Sequence, residues 1–341
     1  MIRYIQKNFR KRGKPMELIK VHGSGNDFFI LDQEKLGRKI SETELKQLAI
    51  KVCDRKHGFH GGADGILCVL PETRGDVLGR MRVINADGSE ASMCGNGLRT
   101  VARYLSEKNG KKSFKVATMY ADLEVEQANE LAPGVKTFAV EISPVSFSAD
   151  DLKMHVGKEE LHEDKLEMLS DELKFSAVAV PNPHLISFVD HETLVSEDLG
   201  RIASYLNDGE NALFPDGVNV SFVEILSEDE IFVRTYERGV GYTNACGTAM
   251  SASSLMYVLE KTDGKGFEKT LSVKNPGGMV KTIVHRKEDG NYFMSLIGNG
   301  TFVAKCTVSL DEALLGDFSA ATWEETGEQA SYEKFVKKIC E

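Results

Sequence analysis

Apolar and polar positions alternate along most of this chain, and glycine or proline breaks the alternation into short strands. Met16 to Asp32 reads as strand, turn and strand. The turn is His22-Gly23-Ser24-Gly25-Asn26, and Phe28 to Leu31 is the apolar run after it. Ser41 to Lys51 has helical spacing, with Ser41 as N-cap and Glu44 as its capping-box partner. A turn at Gly61-Gly62-Ala63-Asp64-Gly65 leads into a strand from Ile66 to Leu70, and Arg80 to Asn85 is another. Gly95 to Glu107 is the first strong helix, with Leu98, Val101, Ala102 and Leu105 on one face.

The second half repeats this plan. Phe175 to Val180 and Leu185 to Val189 read as strands around Pro181-Asn182-Pro183-His184. Val218 to Val223 and Ile231 to Tyr236 are strands, and Gly247 to Glu260 is a helix. Cys246 follows Cys94 by 152 positions, and the same offset relates Asp64-Gly65 to Asp216-Gly217 and Arg82 to Arg234. Strands in series around one helix, met twice, predict an α+β fold of two pseudo-symmetric domains with mostly antiparallel sheets. The expected units are a basic extension at 1–15, a first domain at 16–135 and a second at 136–300. Residues 301–341 would return to the first domain and add a C-terminal extension. The acidic stretch from Ser148 to Glu172 reads as a solvated insertion, and Leu310 to Glu341 as one or two helices without a chemical signal.

Composition narrows the function classes. Hydrophobic residues are 41% and charged residues 28%, as in ordinary globular proteins. Net charge is −10, which argues against a nucleic-acid surface, and the apolar runs are too short for a membrane span. The first fifteen residues hold Arg3, Lys7, Arg10, Lys11, Arg12 and Lys14 with no acid and no apolar run after them. They read as a disordered extension before an alternative start at Met16, not as a secretory signal. Six cysteines at 53, 68, 94, 246, 306 and 340 form no CxxC pair, so a zinc ribbon or thioredoxin motif has no support. A reducing, cytoplasmic setting with free thiols is expected.

The chemistry concentrates at Met93-Cys94-Gly95-Asn96-Gly97 and Ala245-Cys246-Gly247-Thr248-Ala249. A cysteine at a helix N-terminus sees unpaired N–H groups and the positive end of the dipole, which favours its thiolate. The same N–H groups can hold a carboxylate, and glycine lets the backbone approach closely. Two such starts face to face could place one thiol on each side of a single α-carbon. One thiol would remove the proton and the other return it, which is the chemistry of a cofactor-independent racemase or epimerase. Asn26, Asn85, Asn182 and Asn219 mark turns, where their amides could meet carboxylate or ammonium groups. Glu237 and Arg238 suit the two charges of an amino-acid head group, and His184 could orient or help deprotonate a thiol.

These motifs together resemble the diaminopimelate epimerase family. The opening His22-Gly23-Ser24-Gly25-Asn26-Asp27-Phe28 is similar to its first motif. Asn85-Ala86-Asp87-Gly88-Ser89-Glu90 with Cys94-Gly95-Asn96-Gly97 resembles one active-site signature, and Glu237-Arg238-Gly239 with Cys246-Gly247-Thr248 the other. Asn182-Pro183-His184 and Val218-Asn219-Val220 resemble its substrate loops, so the likeness runs from about 16 to 308. It implies two domains, each a sheet or barrel wrapped around a central helix, with the site in the cleft between them. It implies interconversion of LL- and meso-diaminopimelate without pyridoxal phosphate, metal or other cofactor. Cys94 and Cys246 would be the acid/base thiols, assisted by His184 and Glu237. Asn26, Asn85, Asn182, Asn219 and Arg238 would hold the charged ends of the substrate. Backbone N–H groups of Gly95, Asn96, Gly97, Gly247 and Thr248 would bind the carboxylate at the reacting centre. The expected partner is a small amino-acid substrate, not nucleic acid or membrane, and a homodimer is left open. The chain departs from the pattern at Gly65, where some members carry glutamine, and at Tyr242, where many carry glutamate. Two alternatives stand: a racemase of another amino acid on the same scaffold, and a non-enzymatic redox or metal-binding thiol protein using Cys94, His184 and Cys246.

Overall fold

The structure, a computed structural model, describes residues 15–72 and 74–340. The basic extension therefore lies outside the described residues, apart from Pro15 at its end. The first half runs β1 (Pro15–Gly23), β2 (Asn26–Asp32), α1 (Glu42–Cys53), β3 (Gly65–Leu70), β4 (Val77–Asn85) and β5 (Glu90–Ala91). It continues through α2 (Gly95–Asn109), β6 (Ser113–Ala117), β7 (Asp122–Ala128) and β8 (Thr137–Ile142). The second half begins with α3 (Ala149–Leu152), β9 (Asp164–Lys165), β10 (Lys174–Ala179) and β11 (Pro183–Phe188). Next come α4 (His191–Val195), α5 (Asp198–Leu206), β12 (Asn219–Ser227), β13 (Glu230–Glu237), β14 (Gly241–Thr243) and α6 (Gly247–Lys261). The chain closes with β15 (Thr270–Asn275), β16 (Gly278–Arg286), β17 (Tyr292–Asn299), β18 (Thr301–Ser309), α7 (Leu310–Leu315), β19 (Thr322–Glu325) and α8 (Glu328–Cys340).

The repeat is visible in the pairing. In the first half β2 runs parallel to β3, β3 antiparallel to β4, and β4 parallel to β6 across α2. In the second, β11 runs parallel to β12, β12 antiparallel to β13, and β13 parallel to β15 across α6. Among the described residues all other pairings between strands are antiparallel, as the pattern predicts, and each parallel pair there has a helix in its crossover. The two halves join through β8 and β17, which pair antiparallel, while β18 runs antiparallel to β1 and carries β19 on its far side. The fold is α+β, two similar units each wrapped around one helix.

Those helices are α2 and α6, each 15 residues long. The spacing of Leu98, Val101, Ala102 and Leu105 predicts one buried face. In fact every residue from Gly95 to Ser106 is buried, and from Gly247 to Val258 likewise, because sheet surrounds each helix on all sides. Alanine, glycine and serine make that enclosure affordable for α6. Helix α1 carries the capping box of Ser41 and Glu44 that the sequence predicts.

Two peripheral expectations need correction. The stretch from 148 to 172 is not a solvated insertion. Leu152, Met154, Leu161 and Leu169 are buried in a core shared with α5 and β10 to β12. The acidic side chains obscure four anchors spaced too irregularly to read as an element. The tail after 310 holds two helices and also the strand β19, and it is tied to the first motif rather than lying apart.

Candidate active site

Helices α2 and α6 meet head to head. A Cβ placed on Gly95 would come 3.8 Å from the Cα of Gly247, and one on Gly247 only 3.3 Å from Asn96 Oδ1. Glycine at both positions lets the helix tips come this close, and it brings two sets of unpaired N–H groups to one place. Cys94 and Cys246 are the N-caps of these helices. The Gly97 N–H donates to Cys94 Sγ at 3.3 Å. Cys246 Sγ lies 3.4 Å from Thr248 Oγ1, and Glu237 lines the same cleft.

A cleft of about 900 Å³ opens over the two cysteines. Asn26, Asn85, Cys94, Gly95, Asn96, Asn182, Asn219, Glu237, Arg238, Cys246, Gly247 and Thr248 all line it. Asn85 and Glu237 end β4 and β13, the same place in each repeat. Asn219 Oδ1 accepts from the Arg238 N–H at 2.8 Å, and the Arg238 guanidinium donates to the carbonyl of Asp216 at 2.6 Å. Gly97 and His184 do not line the cleft. Gly97 is committed to the Cys94 sulfur. His184 is fully buried behind Asn182, with Nε2 3.2 Å from Asn182 Oδ1 and Nδ1 without a partner.

The electrostatics overturn one expectation. Burial pushes the Cys94 thiol up to about 11, although the Gly97 N–H opposes it. The Cys246 thiol is pushed up further, by burial and then by the charge of Glu237. The helix ends favour the thiolates, as the sequence argument holds, but desolvation outweighs them. Burial also raises the Glu237 carboxyl, with the Asp64 charge adding to it. His184 is lowered to about 3 by burial and by Arg238, so it is a neutral imidazole at physiological pH.

Three further charged groups stand at the site without a role in the sequence analysis. Asp64 and Arg55 line the cleft beside Asn26, and Asp27 pairs with Arg55 behind them. The 152-residue match of Asp64 to Asp216 was the available signal. Tyr242 packs against Tyr236 and under the Arg234 guanidinium, and it is not among the cleft residues. Gly65 cannot carry a side chain without disturbing β4, since a Cβ would fall 2.3 Å from the Ile84 carbonyl. Among the described residues no three His, Cys, Asp or Glu side chains are placed to hold one metal ion. No helix among them is long and apolar enough to cross a membrane.

Comparison with known proteins agrees with this geometry. The family model described as diaminopimelate epimerase matches residues 18–140 and 176–303. A protein of Ligilactobacillus salivarius named diaminopimelate epimerase is 66% identical, covering 95% of this chain and 99% of its own length. One of Enterococcus faecalis with the same name is 56% identical, over 94% and 97%. Among solved structures, a PhzF-family protein of Bacillus anthracis is similar in fold, with a TM-score of 0.62 at 16% identity, covering 86% of this chain and 99% of that one. A hydroxyproline epimerase of Agrobacterium vitis is similar too, with a TM-score of 0.60 at 15% identity, over 91% and 96%. The chain belongs to the diaminopimelate epimerase family.

Proposed function

We propose that this enzyme interconverts LL- and meso-diaminopimelate by proton transfer between Cys94 and Cys246. The observation that carries the reading is the head-to-head meeting of α2 and α6, with a thiol at each tip and one cleft above both. The α-carboxylate of the substrate sits between the helix ends and accepts from the N–H groups of Gly95, Asn96, Gly247 and Thr248. One cysteine acts as thiolate and takes the α-proton. The electron pair of that C–H bond is left on the α-carbon and is delocalised into the carboxylate. The other cysteine, as thiol, gives its proton to the opposite face. The two sulfurs end with exchanged protonation, so the pair carries one proton before and after turnover and two while the carbanion stands between them.

The raised thiols bear on how this begins. Binding a carboxylate at the helix ends does not make a thiolate, so the proton must leave one buried sulfur for a nearby base. Glu237, which lines the same cleft and whose charge acts on Cys246, serves as that base. Asn26, Asn85, Asn182, Asn219 and Arg238 hold the charged ends of the substrate. His184 acts through Asn182, whose amide it fixes from behind. Unpaired thiols at Cys53, Cys68, Cys94, Cys246 and Cys306 fit a reducing cytoplasm, where the catalytic pair stays reduced. As domain units for this enzyme we take 16–135 and 136–300, with 301–341 returning to the first.

The test is α-proton exchange in deuterated water, using reduced protein and no added cofactor. We expect deuterium uptake with inversion for diaminopimelate and not for single amino acids. Cys94→Ser and Cys246→Ser should each abolish inversion while leaving the protein folded. Full epimerisation by either single variant would sink the two-thiol mechanism.

A further inference from the structure

We propose that Asp64 is a positioning residue for this reaction: it locks the side-chain amide of Asn26 so that the oxygen, and not the NH2 group, faces Cys94. The inference rests on the epimerase reading above and concerns residues that reading leaves without a role.

Asn26 opens β2 at the edge of the cleft. Its Nδ2 donates to Asp64 Oδ2. Its Oδ1 accepts from Asn96 Nδ2 at 3.2 Å and faces Cys94 Sγ at 3.6 Å. An amide can be reversed without changing its shape, so its partners decide which end is which. The reversed amide would set its oxygen against the Asp64 carboxylate and its NH2 against the NH2 of Asn96. Both contacts would then fail, because an ionised carboxylate only accepts and an amide NH2 only donates. Asn96 has no freedom to compensate, since its Nδ2 also donates to the Ala245 carbonyl at 3.1 Å.

Asp64 is itself held in place. Arg55 Nη2 reaches Asp64 Oδ1 while the same guanidinium grips both oxygens of Asp27 at 3.0 and 2.6 Å. The Asp27 N–H donates to Asp64 Oδ2 at 3.1 Å, and Lys20 pairs with Asp27 from the buried side. Two carboxylates thus share two cations across the cleft wall. The order of contacts is Arg55 to Asp64 to Asn26 to Cys94. One consequence concerns substrate. Toward the thiol, Asn26 offers an acceptor alone, so it suits an ammonium group or a thiol proton and repels a carboxylate. That fixes which way round an amino-acid head group enters, with its carboxylate on the helix ends and its ammonium toward Asn26.

The experiment is a double-mutant cycle on diaminopimelate epimerisation, with exchange by the wild-type protein measured first. Absence of exchange there would overturn the epimerase reading by itself, whereas the cycle decides the role of Asp64. We expect Asp64→Ala to lower kcat/KM by about tenfold or more in the wild-type background, and by less than about twofold in the Asn26→Ala background. Asp64→Asn keeps an acceptor oxygen toward Asn26 and should restore most of the loss. Calorimetric affinity for diaminopimelate, read on the same four proteins, gives the same comparison without turnover and covers a variant too slow to assay. Equal losses in both backgrounds would mean that Asp64 merely supports the wall, and no loss in the wild-type background would remove it from the site. Either result overturns the proposal.

Discussion

Burial and helix ends pull a thiol in opposite directions, and the outcome here could not be read from spacing. Two Cys-Gly motifs at a fixed offset were legible as facing helix starts. Their ionisation was not, because it depends on how completely the surrounding sheets exclude water. The same holds for His184, whose sequence context between Pro183 and Leu185 gives no sign of its full burial. The four asparagines were legible as turn residues, but the partner that orients Asn26 lies 38 positions away. These buried groups make a prediction about pH. Burial lowers His22 to about 4 and His184 to about 3, both from 6.5. Below about pH 6.5 the unfolded chain therefore takes up protons that the folded one refuses, and stability falls as pH drops toward 4. Burial raises Cys94 to about 11 and Cys53, Cys68 and Cys306 to about 12, all from 9.0. Above about pH 9 the unfolded chain gives up protons that the folded one keeps, so stability falls again. Urea midpoints measured from pH 4 to 11 should show a plateau between about 6.5 and 9. Losses on the order of a few kcal/mol are expected on either side. A midpoint that holds steady down to pH 4.5 would contradict neutral, buried histidines.

At the level of elements, the contact between α2 and α6 is the feature on which catalysis turns. The sequence marks it well: glycine follows each cysteine, and both helices start 152 positions apart and run for 15 residues. The parallel pairings beside each helix were not marked, since periodicity cannot tell the direction of a neighbouring strand. Gly247→Ala tests the contact. The added Cβ would sit 2.9 Å from Leu296 Cδ2 and 3.3 Å from Asn96 Oδ1. The leucine tip can turn aside, so the stability cost should stay within the 1–3 kcal/mol typical of a mildly overpacked core, about 1 kcal/mol here. Asn96 cannot move freely, because its amide bridges Asn26 and the Ala245 carbonyl. The helix ends should separate by a few tenths of an ångström, which disturbs the carboxylate site and both thiols together. We expect kcat to fall about a hundredfold or more while the melting temperature changes little. Near-normal turnover would show that the helix ends need not touch.

The whole molecule is closed by its tail, the part in which the sequence showed no chemistry. Helix α8 lies where both halves converge behind the site. From the first half it meets Arg103, whose guanidinium pairs with Glu328 at 2.7 Å, and His22, whose Nε2 lies 2.9 Å from Gln329 Oε1. From the second half it meets the β15–β16 turn, where the Tyr332 hydroxyl donates to the Gly277 carbonyl at 2.8 Å. That turn in turn takes up the Asn244 carbonyl through the Gly277 N–H, two residues before Cys246. The His22 end leads into Asn26 through the turn on the other side. Val135, Tyr332 and Phe335 form a small core of their own beneath the helix. An amphipathic tail can be read from sequence, but the surface that it covers cannot, because its partners come from segments far apart in the chain. Removal of residues 327–341 should take Tyr332 and Phe335 out of that core, uncover Val135 and leave Arg103, only 2% exposed, with Glu107 as its remaining carboxylate. Burial of the three apolar side chains alone is worth on the order of 5 kcal/mol, which in a chain of this size means a melting point lower by about 5 °C or more. Because α8 spans both halves, at the turn that leads to Asn26 and at the Gly277 turn that braces Asn244 ahead of Cys246, kcat/KM should fall as well, even well below the melting point. A truncated enzyme with unchanged melting and unchanged turnover would show that the two halves hold their cleft without it.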